Sequence, residues 1–493
     1  MPPVHMHAFL YILLISSATL ASRSNSATFS ISANASNTLI PKWEGFGASL
    51  SSWAVAAGGS QVQSKLADLF YSTKTVTVMV KGKERRLPGL GLNIVRYNIG
   101  GTGKERDYPG RVENYKEGPS KFGVDWWKLV QGYWIRGPSD ADSNWDWARD
   151  ARQRSMLKAI MKKKVDRVEF YSNAPMWWMT KQNSSLGGTL SNDAIPQFAK
   201  YVTNVVRQAI FTWRIPVTSV SILNEPSGGL SKYKQIDHEG INVSVKDQVA
   251  LLDELRSQLD NGFMGSVDIA GPDERNISLA TKTLSKMLPL VDKYNVHGYT
   301  SSTIASQNAA REAFKSAVGS KKLWVSEYED SSKDGMALVT ALAHDILHLR
   351  PSAWLYGQLA STTSSQGLLR FNKPSEKTRR IKITKIHTRY FLLAQFTRFI
   401  RPGDEILATS SANAIVAYNP TTKRYKFVVV NYLCIPTVSV TIEGLKKGVL
   451  VERVRVTCTQ ADGKAMFKSF SAVVLAGAVV FRMEKHSVCS FTL

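Results

Sequence analysis

The amino-acid sequence predicts an α/β fold, a (β/α)8 TIM barrel with an attached C-terminal β-sandwich domain that includes an N-terminal strand. Three observations support this prediction. Before Gly403, eight short apolar runs alternate with segments of helical periodicity, which is the content of a closed parallel barrel. After Gly403 the chain changes to short β-rich runs separated by turn residues, which is typical of a sandwich. Two of the barrel runs also end on a glutamate, at Glu225 and Glu327.

The N-terminal segment, residues 1–21, has the features of a secretory signal peptide. The apolar stretch Ala8–Ile15 is followed by small residues that allow cleavage after Ala21. Since no lysine or arginine precedes this stretch, an uncleaved anchor is an alternative. No later segment approaches the roughly 20 apolar residues of a membrane span, so we expect a secreted protein of the cell wall or apoplast without a membrane partner. Four glycosylation sequons agree with export, at Asn34, Asn183, Asn242 and Asn276.

Residues 46–403 are expected to form the barrel. The first candidate strand begins at Phe46, and the others lie at Gly91–Asn98, Arg167–Asn173, Val217–Glu225, Val267–Gly271, Tyr294–Tyr299, Lys322–Tyr328 and Ala353–Gln358. The helices are expected at Ser64–Tyr71, Trp147–Lys163, Ile195–Phe211, Val245–Leu259, Leu279–Val291, Ser306–Val318, Met336–Leu349 and Ile383–Ile400. Strands that alternate with helices in this way form a parallel sheet.

Residues 404–493 are expected to form the sandwich, and residues 22–45 a linker with the additional strand Thr28–Ile40. The β-rich runs lie at Ile406–Tyr418, Arg424–Tyr432, Thr437–Glu443, Leu450–Val456, Ala472–Leu475 and Val479–Met483. All three cysteines of the chain are found here, at Cys434, Cys458 and Cys489. They allow one disulfide with one thiol left over, and because their spacing matches no zinc site, no metal is expected.

The chain has a large excess of positive charge. It contains 63 lysines and arginines against 39 acidic residues, a formal net charge of +24. Such an excess favours a polyanionic partner, although it can also serve only to keep the surface soluble. No zinc-finger spacing and no basic block longer than Met161–Lys164 is present, so nucleic acid is not expected as a partner. An acidic polysaccharide suits the predicted secretion better.

The two strand-end glutamates suggest the chemistry. In Val217–Glu225 no charge appears before the last residue, and Pro226 ends the run; Lys322–Tyr328 has the same design around Glu327. The carboxyl ends of all barrel strands meet at one rim, so two side chains 102 residues apart can come together there. Two carboxyl groups on either side of a glycosidic bond are what sugar-polymer hydrolysis requires. Glu225 alone would read as the first solvated residue after a strand, but the second run favours a pair.

Six motifs along the chain resemble glycoside hydrolase family 30, and within it the endo-β-1,6-galactanase branch. They occur in the family's order and extend from about Thr28 to the C-terminal strands. The motifs are Gly45–Leu50, Asn93–Gly101, Ser172–Met179, Leu223–Pro226, His297–Tyr299 and Trp324–Tyr328. The resemblance implies a (β/α)8 barrel with a tightly attached β-sandwich, a retaining mechanism, and neither a metal nor an organic cofactor.

The resemblance also implies roles for single residues. Glu225 matches the family's general acid/base and Glu327 its nucleophile. Retaining enzymes hold these two carboxyl groups about 5 Å apart, and the pKa values of the two must differ because one carries a proton while the other is ionised. Arg96 and Tyr299 are expected to donate hydrogen bonds to Glu327 and keep it anionic. For Arg96 a buried structural salt bridge is the alternative.

Substrate contacts are expected from five further side chains. Asn224 suits the sugar 2-hydroxyl, with a strand cap as its alternative, and Asn173 lies at another strand end. His297 either binds substrate or orients a neighbouring side chain. Trp178 and Trp354 are expected to stack on the apolar faces of sugar rings. The chain departs from the family in the loop Glu329–Gly335, since relatives usually have glycine directly after the tyrosine.

The sequence therefore predicts a secreted, retaining endo-hydrolase, expected to be monomeric, whose substrate is β-1,6-galactan in arabinogalactan-type polysaccharides. Another family 30 activity is the first alternative, namely a β-1,6-glucanase, a xylanase or a glucosylceramidase. A carbohydrate-binding protein without catalysis is a second, which the presence of both glutamates disfavours. Chain-length preference, exact sugar, cysteine pairing and sequon occupancy are left open by the sequence.

Overall fold

A computed structural model describes residues 31–103, 125–228, 239–299, 304–329, 331–363, 366–375, 378, 380–432, 437–441, 453–475 and 478–493. Residues 1–21 and Cys434, about which the sequence makes predictions, lie outside these ranges. Among the described residues, none of the helices combines the length and the apolar character needed to cross a bilayer.

The strands are numbered in chain order. They are β1 (Ala33–Ile40), β2 (Gly45–Ser49), β3 (Thr75–Val80), β4 (Lys83–Pro88), β5 (Ile94–Asn98), β6 (Arg167–Tyr171), β7 (Leu186–Thr189), β8 (Ser219–Ser221), β9 (Gly240–Asn242), β10 (Asp268–Glu274), β11 (Lys293–His297), β12 (Lys322–Glu327), β13 (Ala353–Tyr356), β14 (Ala360–Ser361), β15 (Leu369–Phe371), β16 (Ile383–Ile386), β17 (Glu405–Thr409), β18 (Ala414–Asn419), β19 (Arg424–Asn431), β20 (Thr437–Thr441), β21 (Arg453–Gln460), β22 (Lys468–Leu475), β23 (Ala478–Arg482) and β24 (Ser487–Thr492).

The α-helices are likewise numbered in chain order. They are α1 (Ser51–Ala57), α2 (Gln63–Tyr71), α3 (Ala151–Met161), α4 (Ala194–Phe211), α5 (Val245–Asn261), α6 (Ile277–Met287), α7 (Ile304–Val318), α8 (Met336–His344) and α9 (Thr388–Thr397). A single π-helical turn, Asp345–Leu349, continues α8.

Eight parallel strands close into a barrel, which confirms the predicted fold class. Going round the barrel, the order is β2, β5, β6, β8, β10, β11, β12 and β13, and β13 pairs back with β2. Chain order and spatial order are therefore the same, and at least one helix follows each strand. This arrangement directs the carboxyl ends of all eight strands to one rim, where the loops build the functional site.

The interior of the barrel holds a network of charged side chains. The guanidinium group of Arg96 on β5 donates to Glu169 at 2.8 Å and to Asp273 at 3.0 Å. Lys293 on β11 forms a second ion pair with Glu169, and the amide of Asn295 donates to the same carboxylate at 2.9 Å. All these side chains are buried. Buried charges are tolerated when they are paired and hydrogen-bonded in this way.

A nine-stranded sheet forms the predicted second domain. Its order is β1-β17-β18-β19-β24-β21-β22-β23-β20, so the N-terminal strand β1 joins it by pairing antiparallel with β17, as expected. Alternate residues of β18 and β19 face opposite sides. Val416 and Phe427 pack in the sandwich's own core, whereas Ile415 and Val428 belong to the large core shared with the barrel. Both faces of these strands are thus buried, which attaches the sandwich tightly to the barrel.

The sandwich also contains a disulfide between Cys458 and Cys489. These residues are direct cross-strand partners on β21 and β24. The sequence left the pairing of its three cysteines open, and no strand was predicted at β24. This strand lies between β19 and β21, in the interior of the sheet.

Three further local predictions differ from the structure. Strand β8 covers only three residues of the predicted Val217–Glu225, because the chain turns after Ser221, whose hydroxyl donates to the Leu223 carbonyl oxygen at 3.0 Å. The predicted helix Ile383–Ile400 begins only at Thr388. Its first part is strand β16, in which Ile383 is buried and Lys385 is exposed. The β3–β4 hairpin was not predicted, although Thr75–Val80 alternates strictly.

Candidate active site

The two strand-end glutamates meet in one cleft. Glu327 is the last residue of β12, and Glu225 follows β8 after a short turn. One oxygen of each carboxylate and one ring nitrogen of His297 lie within 4.8 Å of one another. Both glutamates line a cleft of about 640 Å³. The barrel therefore brings together two acidic side chains that are 102 residues apart in the sequence.

Glu225 is held by two cationic partners. Its Oε1 lies 3.0 Å from Nδ1 of His297, and its Oε2 accepts a hydrogen bond of 3.0 Å from Arg275. Burial raises the pKa of Glu225, but the hydrogen bond and charge of His297 and the charge of Arg275 outweigh burial and hold that pKa below its usual value. The backbone of Glu225 has φ +46°, a left-handed conformation uncommon outside glycine. Such conformations concentrate at functional sites.

His297 connects the two glutamates to the barrel interior. Its Nδ1 is 3.6 Å from Glu327, and its Nε2 is 3.5 Å from Asp273. Burial lowers the pKa of His297, but the charge of Glu327 and the contacts with Asp273 and Glu225 overcome this and raise it to about 10. The ring is therefore protonated at neutral pH.

Tyr299 contacts Glu327 as the sequence predicted. Its hydroxyl donates to Oε1 of Glu327 at 3.0 Å. Burial first, and then the charges of Glu327, Glu329 and Glu225, raise the pKa of Tyr299 well above its usual value. The phenol thus keeps its proton and serves as a permanent hydrogen-bond donor to Glu327.

Arg96 does not bind Glu327, and the prediction that it does is wrong. Its side chain is fully buried, and its guanidinium donates to Glu169, Asp273 and the Ser326 carbonyl oxygen. The residue does not line the cleft. Arg96 lies in the middle of β5 and not at its end, and the charged partners inside the barrel take up its hydrogen bonds. The alternative, a buried structural salt bridge, describes it correctly.

The predictions for Trp178 and Trp354 are also wrong. Trp354 is 1% exposed, and its indole nitrogen donates to Asp345 at 3.0 Å. Trp178 donates to the Trp134 carbonyl oxygen and packs edge-on against the Trp134 ring, and Gly137 lies against its face. Neither ring lines the cleft, so neither face is offered to a sugar there. Both tryptophans are used for packing, which is the more common fate of a large aromatic side chain.

The two asparagines lie where the sequence put them. Asn224 and Asn173 both line the cleft with the glutamates. Oδ1 of Asn224 is buried and has no hydrogen-bond partner among the described residues. An unpaired buried acceptor is costly, so a ligand hydroxyl that donates to it would recover that cost.

Several other cleft residues escaped the sequence analysis. They include Trp53, Trp127, Lys128, Glu239, Arg275, Glu329 and Gln358. Arg275 directly follows β10, so the strand-end argument that found the glutamates would have found it. Glu239 accepts hydrogen bonds from the backbone of Gly101 and Thr102 and thereby holds the loop after β5. Nothing in its local sequence indicates this role.

Comparisons with known proteins agree with this geometry. The family model of O-glycosyl hydrolase family 30 matches residues 28–276. An endo-β-1,6-galactanase of Hypocrea rufa is 31% identical over 448 residues, covering 87% of each chain. Among solved structures, a conserved exported protein of Bacteroides fragilis superposes with a TM-score of 0.74 at 16% identity, covering 94% of this chain and 100% of the other.

A second solved structure carries the family name itself. The catalytic domain of GH30 xylanase C from Talaromyces cellulolyticus superposes with a TM-score of 0.68 at 18% identity, covering 94% of this chain and 99% of the other. At such identities the structural likeness speaks for the shared fold alone. The family match and the 31% identical relative show that the sequence itself is related to this family. The chain therefore belongs to glycoside hydrolase family 30, and within that family it resembles the endo-β-1,6-galactanase branch.

Proposed function

We propose that this glycoside hydrolase is a secreted, retaining endo-enzyme that cleaves β-1,6-galactosyl linkages in the side chains of arabinogalactan-type polysaccharides. The proximity of Glu225 and Glu327 in the cleft carries the proposal. Retaining glycosidases hold two carboxyl groups about 5 Å apart, whereas inverting enzymes leave at least ~6.5 Å for a water molecule. The sugar and the linkage rest on the likeness to the Hypocrea rufa endo-β-1,6-galactanase.

Glu327 would act as the nucleophile. It ends a rigid barrel strand, and the hydrogen bond from Tyr299 fixes its carboxylate. One carboxylate oxygen attacks the anomeric carbon, the glycosidic bond breaks, and a covalent glycosyl-enzyme forms. Water then displaces Glu327 with Glu225 as the base, so the product keeps the configuration of the substrate.

The proton for the leaving group is held on the His297–Glu225 pair. In the free enzyme it resides on His297, 3.0 Å from the Glu225 carboxylate, mainly because the anionic Glu327 stabilises the imidazolium. When Glu327 bonds to the sugar it loses that charge, and His297 holds its proton less tightly. The proton can then pass to Glu225, which delivers it to the leaving oxygen. When water attacks, Glu225 takes up a proton and the starting state returns.

An acidic substrate chain would suit the surface beside the cleft. Phe371 of β15 and Ser361 of β14 line the cleft, and their sheet continues through β16 and β3 to β4. Exposed basic side chains cover this sheet and its turns, at Lys81, Lys83, Arg85, Arg86, Arg370, Lys382 and Lys385. Glu84 is the one acidic residue on the described strands of this sheet. Galactan chains that carry glucuronate would gain affinity here, and that gain would fall with added salt.

Product analysis tests the proposal. Incubation with de-arabinosylated arabinogalactan should release short β-1,6-linked galactose oligomers, and proton NMR at early times should show β-configured new reducing ends. Early α-anomers would contradict retention. Cleavage of β-1,6-glucan, xylan or glucosylceramide without cleavage of galactan would establish another family 30 activity. Discrimination between galactose and glucose should be strong, because a site that bonds the axial 4-hydroxyl leaves polar groups unpaired with the epimer.

A further inference from the structure

Besides Glu239, which is bound by the backbone of Gly101 and Thr102, a further carboxyl group lines the cleft, and the mechanism above gives it no task. Glu329 stands two residues after Glu327 and lines the cleft with both catalytic glutamates. Gly357 on the neighbouring strand's loop shows how closely it packs: a Cβ atom there would lie 2.7 Å from Cγ of Glu329 and 3.0 Å from Cγ of Glu327. The two acidic side chains therefore rest against the same piece of backbone, which only glycine leaves room for.

The surroundings of Glu329 supply little positive charge. Among the residues that the structure describes, none forms an ion pair or hydrogen bond with its carboxyl group. The facing ionisable groups are Glu327 on its own strand, Glu225 after β8, His297 and Tyr299 at the end of β11, and Arg389 on α9. Ionising Glu225, Glu327 and Glu329 together is unfavourable, because like charges at short range repel one another.

Burial and these charges decide which carboxyl stays protonated. Glu225 and Glu327 each have a hydrogen-bond donor close by, in His297 and Tyr299. Burial, and then the charges of Glu327 and Glu225, raise the pKa of Glu329 to about 8, against the opposing charges of His297 and Arg389. The raised pKa favours the protonated form of Glu329 at neutral pH, whereas the lowered pKa of Glu225 favours its charged form.

A protonated carboxyl can do what an ionised one cannot. Carboxylates only accept hydrogen bonds, whereas the acid form also donates one. The Tyr299 hydroxyl already donates to Glu327, so Glu329 brings a second donor to the nucleophile's side of the cleft. We propose that Glu329 binds substrate as a neutral carboxylic acid and donates a hydrogen bond to a hydroxyl group of the sugar that Glu327 attacks. This inference rests on the proposed function, since it takes Glu327 as the nucleophile.

The protonation state can be tested without a substrate. Infrared difference spectra of the wild type and Glu329→Gln at pH 7 should show one carboxylic-acid carbonyl band that the variant lacks. That band should disappear from the wild type as the pH is raised past about 8, where the pKa places its ionisation. If the variant instead lacks a carboxylate band at pH 7, Glu329 is ionised and the proposal fails. This measurement is independent of which glycan the enzyme cleaves.

Binding is tested by contrasting two substitutions on whichever polysaccharide the wild type cleaves. Glu329→Gln keeps a neutral donor of the same shape, so kcat/KM should stay within about threefold. Glu329→Ala removes the donor, and kcat/KM should fall about tenfold to hundredfold. Glu484→Gln in the sandwich, an exposed glutamate outside the cleft and outside the basic sheet, serves as the control and should change nothing. Thermal unfolding of each variant separates loss of binding from loss of fold.

Two outcomes would overturn this role. Full activity in Glu329→Ala would show that the side chain does not bind substrate, and equal damage in the Gln and Ala variants would show that an anion is needed. Monodeoxy substrates identify the hydroxyl: the analogue that lacks it should be cleaved equally by the wild type and Glu329→Ala. If the wild type cleaves no glycan at all, the proposed function fails, while the infrared result still decides whether Glu329 holds a proton.

Discussion

Two groups of ionisable side chains, one in the barrel interior and one in the cleft at its rim, balance their charges differently. In the barrel interior, Arg96 and Lys293 neutralise Glu169 and Asp273. Each of these side chains is at most 2% exposed, and none of the four lines the cleft. Arg96 and Lys293, together with neighbouring serines and Asn295, satisfy both carboxylates, so the pKa values of Glu169 and Asp273 are lowered in spite of burial.

The cleft group is unbalanced by comparison. It holds four carboxyl groups, Glu225, Glu239, Glu327 and Glu329, against the cations Lys128, Arg275 and His297. One carboxyl has its pKa lowered and another has it raised to about 8, although they share one cleft. Paired charges therefore stabilise the barrel, whereas an excess of acidic side chains facing a cavity provides groups with different proton affinities.

The largest effect is expected from substituting either catalytic glutamate of the cleft group. Glu327→Gln and Glu225→Gln should each lower turnover of the galactan about a thousandfold or more, because each removes an essential group of the double displacement. Thermal unfolding should be nearly unchanged, since neither residue belongs to the interior network. Steady-state kinetics and calorimetry measure both. Near-normal turnover in either variant would contradict the assignment, and binding without cleavage by the wild type itself would indicate a carbohydrate-binding protein.

The next largest effect is expected from removing one charged side chain of the interior group. Arg96→Met leaves Glu169 and Asp273 buried without their shared partner, and removal of one member of a buried ion pair typically costs about 3–5 kcal/mol. Chemical denaturation should therefore show a large loss in the free energy of unfolding. Arg275→Gln, which changes a partly exposed arginine of the cleft, is the matched control and should cost well under 1 kcal/mol. Equal losses in the two variants would erase the distinction between the groups.

His297 belongs to both groups, and pH sharpens its contribution. Its pKa rises from 6.5 in the unfolded chain to about 10 in the fold, so the stability it provides is complete below about pH 6.5 and is lost as the pH rises towards 10. The free energy of unfolding should fall over this range in the wild type, by a few kcal/mol at most. His297→Gln should flatten that dependence. An unchanged pH slope in the variant would show that the ring is neutral in the fold.

The smallest expected effect concerns Arg275. Its charge lowers the pKa of Glu225. Removing this positive charge in Arg275→Gln should make the His297–Glu225 pair hold its proton to higher pH, so the alkaline limb of kcat/KM moves upward by a fraction of a pH unit to about one unit. The rate at the optimum should change by about tenfold or less. A shift of the limb to lower pH would contradict this account of the ion pair.

Much of the fold could be read from the sequence because its signals are local. Each barrel strand lies in a largely apolar run, and in each helix between the strands the apolar residues recur every three to four positions. All eight strands were found from these signals. The errors are also local. Ile383–Ile386 was assigned to a helix because its two isoleucines are three residues apart, which fits a helical repeat. Strand β24 was missed although its residues are buried in the sheet.

The sequence by itself determined the barrel and the two glutamates, because strand ends in a closed parallel sheet must share one rim. It could not tell that Arg96, in the middle of β5, pairs with interior carboxylates whereas Arg275, directly after β10, pairs with Glu225, since only the packed barrel shows these partners. It could not tell that Trp354 is buried or that the surroundings of Glu329 raise the pKa of its carboxyl group. Burial and proton affinity depend on what other parts of the chain place around a side chain, and only the tertiary structure decides that.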